Sequence, residues 1–169
     1  MKKINWKEVK VVRLAVGIIC LLSLLTMIGY QLTWQIGDPS IRSEIVKISF
    51  SEMTFGKVIE KSVFIEIVKY IGNPTGFVGY IFVGLGGLLA LVTTFSKDLS
   101  PKRKFIDDIL INLFLITGGV CILLQRDAFL ASNQGYVDST LALTAWPIVA
   151  ATTAFASSLA MVIGIIVDK

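Results

Sequence analysis

The 169-residue chain contains no histidine. That excludes bis-histidine haem, histidine-ligated zinc or copper, and acid–base or triad chemistry built on imidazole. Cysteine is nearly absent. The two present, Cys20 and Cys121, both fall inside apolar runs. Counted from the basic end of each run at ~1.5 Å per residue, Cys20 lies about 12 Å deep and Cys121 about 20 Å deep. That offset suits a disulfide poorly, and both read as packing residues. Charge is the third scarcity: 17% of residues are Asp, Glu, Lys or Arg, against about 25% in soluble domains. Paired catalytic carboxylates, Ser/Lys dyads and C-x-x-C motifs are all unsupported. The expectation is a protein that is not an enzyme, with no catalytic, cofactor-binding or metal-binding residues.

What the chain does have is apolar sequence in long blocks. Hydrophobic residues make up 54% of it, and the mean hydropathy is +0.77. Uncharged apolar blocks of about 18 residues or more read as membrane spans. Four of them predict an all-α membrane protein, a single four-helix integral membrane domain over residues 1–169. The spans are expected at about 11–31, 74–95, 106–125 and 140–167, with a small mixed α/β or β subdomain between the first two. The bilayer is then the first partner, and the expected location is the cell membrane, multi-pass.

Net charge is +4, gathered in two clusters beside the spans. One holds Lys2, Lys3, Lys7, Lys10 and Arg13; the other holds Lys97, Lys102, Arg103 and Lys104. Placed there, the excess reads as topology-setting charge and not as a nucleic-acid surface. Both clusters put the N and C termini and the 96–106 loop in the cytoplasm, with loops 31–73 and 126–139 outside. A basic start before an apolar run also fits a signal peptide. No A-x-A-like site follows, however, and the run is long for an h-region, so it reads as an uncleaved span. Trp6 at one end, and Tyr30 with Trp34 at the other, suit interfacial belts.

The second span, from Pro74 to Phe95, is rich in glycine. Gly76, Gly79, Gly86, Ala90 and Thr94 fall roughly on one helical face, with Gly87 beside them. Helices in lipid associate by close van der Waals contact, which small residues permit. The fourth span carries a second small-residue surface that includes Ala150, Ala154 and Ser157, and it is expected to partner the glycine face. Gly84 to Gly87 spell GLGG, but no Lys-Ser/Thr follows, so a phosphate loop is not supported.

The 31–73 loop is nearly neutral. Asp38-Pro39-Ser40 is a turn signal. Glu44 to Ser51 alternates apolar and polar residues like a half-buried strand. Met53 to Ile71 is ambiguous. Ile59, Val63, Ile67 and Tyr70 repeat at helical spacing, whereas VFIEIV is β-branched; helix is the preferred reading.

Ser100-Pro101 starts the third helix, with Asp107 and Asp108 favourable to its dipole. The adjacent acids also invite an ion-site reading, but neighbours on a helix do not share a face. Asn112 and Gly119 do share one, which points Asn112 into the bundle as an interhelical hydrogen bond or a polar step in a transport path. Arg126 to Asp138 is expected as a loop and Asp138-Ser139-Thr140 as the cap of the fourth span. Pro147, about two turns in, is then expected to kink the helix, with Thr144, Thr152 and Thr153 binding freed carbonyls. Asn112, Thr144 and Pro147 are thus the candidate intramembrane polar positions.

Four spans, cytoplasmic ends, a larger first external loop with a strand-like stretch and a shorter second one resemble the layout of the claudin and peripheral-myelin-protein type of tetraspan. The resemblance lies in layout. Trp34 is present, but no Gly-Leu-Trp follows it and the loop has no cysteine. Packing surfaces are visible in the sequence while chemistry is not, so the expectation is a non-enzymatic protein acting by assembly, an accessory subunit or claudin-like tetraspan, with a protein partner or homo-oligomer in the membrane and no nucleic acid. The alternative is a transporter or pore component for a small solute.

Overall fold

The computed structural model describes residues 6–36, 44–61, 66–96, 100–134, 137 and 140–167. The Asp38-Pro39-Ser40 turn, Asp138 and Ser139, and both chain ends lie outside them. Four helices are long and apolar enough to cross a membrane: α1 (Trp6–Ser23), extended by a 3-10 turn (Leu24–Ile28), α3 (Thr75–Phe95), α4 (Pro101–Ser132) and α5 (Ala145–Val167). Each packs on its neighbours in sequence, and α5 closes the ring against α1. The chain is therefore mostly helical, with an up-and-down bundle and a small sheet at one end.

The sheet is built from both loops at that end. Strand β1 (Tyr30–Ile36) lies between β2 (Glu44–Ser49) and the two-residue β5 (Ala142–Leu143), all antiparallel. Leu32 faces both Ile48 and Leu143. The period-2 pattern of β1 and β2 puts Leu32, Trp34 and Ile48 on one buried face. They close over Met53, Phe129, Val137 and Leu141 as a core separate from that of the bundle. Trp34 is thus a core residue, not part of an interfacial belt.

Helix α4 makes this second core possible. Its 32 residues reach about 48 Å at 1.5 Å per residue, against roughly 30 Å of hydrocarbon. The last turns, Arg126 to Ser132, expected as loop, continue the helix and carry Phe129 under the sheet. Asn133 then pairs with Ile71 as a strand would. Its Oδ1 accepts from Ile71 N (2.6 Å), and its Nδ2 donates to Ile71 O (2.9 Å).

Between β2 and α3 the preferred helical reading is overturned. A short α2 (Phe50–Phe55) leads into an antiparallel hairpin, β3 (Gly56–Lys61) with β4 (Glu66–Ile71). Paired strand to strand, the β-branched residues prevail over the helical spacing. Helix α2 starts with a capping box, Ser49 accepting from Glu52 N while Glu52 accepts from Ser49 N. It ends at Gly56, whose φ of 83° turns the chain into β3 at no side-chain cost.

The start of α5 also differs from expectation. Leu141 to Leu143 are drawn into the sheet, so the helix begins at Ala145 and not near Thr140. Pro147 therefore lies in the first turn, where its missing N–H would have had no partner. The reason to expect a kink is gone.

Candidate functional site

The inner face of α1 carries Arg13, Val16, Cys20 and Ser23 at three- and four-residue steps, all buried. The inner face of α4 carries Asp108, Ile111, Leu115 and Ile122 in the same way. Arg13 and Asp108 meet near the basic end of the bundle. Nε donates to Oδ1 at 2.9 Å and Nη2 to Oδ2 at 2.6 Å, with only 2% and 7% of the two side chains exposed. This is the two-pronged fork that guanidinium and carboxylate form best.

The network continues one turn along α4. Asn112 Nδ2 donates to the Asp108 carbonyl at 2.8 Å, and Asn112 Oδ1 accepts from Ser158 of α5 at 2.7 Å. Arg13, Asp108, Asn112 and Ser158 thus join α1, α4 and α5 in a single polar chain. Asp107 is only half-buried and takes no part in the fork. The charged pair escapes a sequence reading because its members are 95 residues apart and each has an ordinary local explanation. One signal was available: Asp108, Asn112, Leu115 and Gly119 share a stripe.

A second network, also missed, lies at the sheet end. Gln31 is fully buried at the junction of α1 and β1. Its amide donates to the carbonyls of Thr26 (3.0 Å) and Gly29 (2.9 Å), and its Oε1 accepts from Tyr80 of α3 (2.9 Å). Every polar valence of that amide but one lone pair is used, which fixes the exit of the chain from α1. Gln125 is different: both its amide atoms are buried without a hydrogen-bond partner among the described residues. A Cβ at Gly76 would sit 2.1 Å from its Oε1.

The small residues are distributed otherwise than expected. A Cβ at Gly79 would lie 2.8 Å from the Gly118 carbonyl of α4, and one at Gly86 2.9 Å from Leu115. Gly87 faces Cys20 and Gly17 of α1, and Gly119 faces the Phe155 ring of α5. Ala90, Ala150, Ala154 and Ser157 are buried in the bundle. The glycine face of α3 therefore meets α4 and α1, and not the alanine surface of α5. Four helices joined in sequence put α3 and α5 on a diagonal. Thr144 belongs to the sheet, its hydroxyl donating to Tyr30 O and its N–H to Gln31 O (3.1 Å). Thr152 and Thr153 bond the carbonyls four residues back, Ile148 and Val149. The cysteines are both free.

Among the described residues, a small-residue surface on α5 stays uncovered. Between α1 and α5 runs a groove of ≈ 450 Å³ whose walls include Val12, Ala15 and Ile19 on one side and Thr153, Ala156 and Ala160 on the other. Ala156 and Ala160 are exposed, one helical turn apart. No three His, Cys, Asp or Glu side chains come together as a metal site among the described residues. No protein-family profile, curated protein or solved structure matches the chain.

Proposed function

We propose that this is a non-enzymatic polytopic membrane protein that acts by assembly, as an accessory subunit or a self-associating tetraspan. In this reading it lies in the cell membrane with the basic end of the bundle in the cytoplasm and the sheet outside. The α1–α5 groove carries the proposal. Lipid tails offer a helix little reason to associate, whereas close approach over small residues does. The glycines of α3 are consumed within the bundle, but Ala156 and Ala160 face outward beside a notch of ≈ 450 Å³. A second chain, or the span of a partner, fits there backbone to backbone.

The test is site-specific photocrosslinking from position 156 in native membranes, with and without Thr153→Leu and Ala160→Leu, which fill the groove on either side of the probe. A defined protein adduct that the leucines abolish is expected. A chain that stays monomeric and gives only lipid adducts would sink the proposal. A second reading, a component of a small-solute path, draws support from the Arg13–Asp108–Asn112–Ser158 chain, since ionisable residues inside a membrane often mark pathways. It predicts liposome flux that Asn112→Leu abolishes, and fails if no ion or small solute crosses.

A further inference from the structure

Helix α2 lies unusually low for part of a loop. Phe50 packs on Phe77 (ring centroids 6.0 Å) and edge-on to Tyr80 (5.5 Å). Tyr80 is five residues into α3, about 8 Å along it. Met53 fills the space over Gly76, where a Cβ would lie 2.7 Å from its methyl. So α2 runs beside the first two turns of a helix that is itself a candidate span.

At the far end of α2 stands Phe55, 79% exposed, and beside it Ile71, 61% exposed. Their backbones touch. Gly56 pairs with Ile71, and a Cβ at Gly72 would fall within 2.5 Å of Gly56 N. On α3, Phe77, Val78 and Ile81 are exposed on the outer side of the helix. Phe55 and Ile71 thus form an exposed apolar pair beside Gly72, three residues before α3 begins. Lys57, two residues on, is held by Glu52 and half exposed. Aromatic rings at the acyl boundary with cations just above them are what an interfacial zone favours.

We propose that Phe55 and Ile71 form a wedge that enters the interfacial zone of the adjacent phospholipid leaflet and seats the sheet-bearing subdomain on the membrane. The occupant is lipid because the pair sits just ahead of a helix long and apolar enough to span, on a segment whose other end, Phe50, packs against the first two turns of that helix. Seated this way, α2 and the first rung of the hairpin cannot swing, and the orientation of the sheet above the bilayer is set. The proposal needs the four helices to span, but it does not rest on the assembly reading.

The experiment uses the full chain in phosphatidylcholine nanodiscs. A nitroxide label is placed separately at Phe55→Cys, Ile71→Cys and Ile45→Cys, and the signal from the unsubstituted chain, with Cys20 and Cys121 in place, is subtracted. Ile45 is the control. It is 65% exposed but stands four residues up β2 from Ser49, about 13 Å farther from the bundle. Power saturation compares collisions with oxygen, which partitions into lipid, and with a water-soluble nickel chelate. The expected result is an oxygen-to-nickel ratio several-fold higher at 55 and 71 than at 45. Water-type ratios at both 55 and 71, equal to that at 45, would overturn the proposal.

Discussion

Removing the carboxylate of Asp108 leaves the Arg13 guanidinium buried with its counter-charge gone. Two charge-assisted hydrogen bonds, at 2.9 and 2.6 Å, are lost. Arg13 is only 2% exposed, so water does not replace them without a change in structure. Breaking a buried pair from one side costs about 3–5 kcal/mol. Asp108→Ala should therefore lower the folding constant by two to four powers of ten, read as reversible unfolding in bicelles. Replacing both partners, Arg13→Met with Asp108→Leu, removes the stranded charge and its desolvation together. That double variant should recover most or all of the loss, and in an apolar setting it can exceed the parent. Charge reversal, Arg13→Asp with Asp108→Arg, should recover less, because the fork would have to form from the opposite helices. If Asp108→Ala costs under about 1 kcal/mol, Arg13 reaches water at the basic end by snorkelling. The fork would then contribute little more than a surface pair, and the reasoning here would be wrong.

Gly79→Ile places a branched side chain where a Cβ alone would be 2.8 Å from the Gly118 carbonyl; overpacking of this kind costs about 1–3 kcal/mol and should appear as earlier unfolding in the same assay. Gln31→Leu takes the acceptor from the Tyr80 hydroxyl and one donor each from the Thr26 and Gly29 carbonyls and should cost on the order of 1–3 kcal/mol, with Tyr80→Phe restoring part of the loss in the double variant. Near Glu52, burial works to raise the carboxyl, but the Lys57 ammonium and the Ser49 N–H and hydroxyl outweigh it and hold it below its ordinary value. Its contribution to α2 is therefore full above the unfolded value and fades as pH falls through the lower folded one. Protection of the α2 amides, taken relative to their intrinsic exchange rates, should fall on acidification in the parent, and Glu52→Gln should flatten that dependence; an unchanged profile in Glu52→Gln would refute the assignment.

Much of the bundle was legible because its four helices are written as long uncharged apolar runs. A span needs a long uncharged run, and each of the four runs announces itself without reference to the others. The strand at Glu44 to Ser49 was equally readable, since a two-residue period needs only local sequence. The start of α4 at Ser100-Pro101 was too, because its cap is made by neighbours: Ser100 accepts from Arg103 N. Met53 to Ile71 was misread because helical spacing and β-branched composition conflict there. What settles the matter is whether a strand lies alongside to pair with.

The pairings were decided only by the tertiary structure. Gly79 and Ala154 each advertise a close contact, but no small residue specifies which helix will fill its gap. That depends on the order of helices around the bundle. Arg13 and Asp108 look like topology charges at two span ends until α1 and α4 come together and exclude water from both. Sequence alone, through runs of apolar residues and the places where charge interrupts them, determined that this chain carries four helices long and apolar enough to span, which ends are basic and which loop is large. Contacts between residues some hundred positions apart determined which charges are buried, which glycines are consumed and which alanines remain uncovered. Burial and partnership are properties of the assembled bundle, and no local stretch carries them.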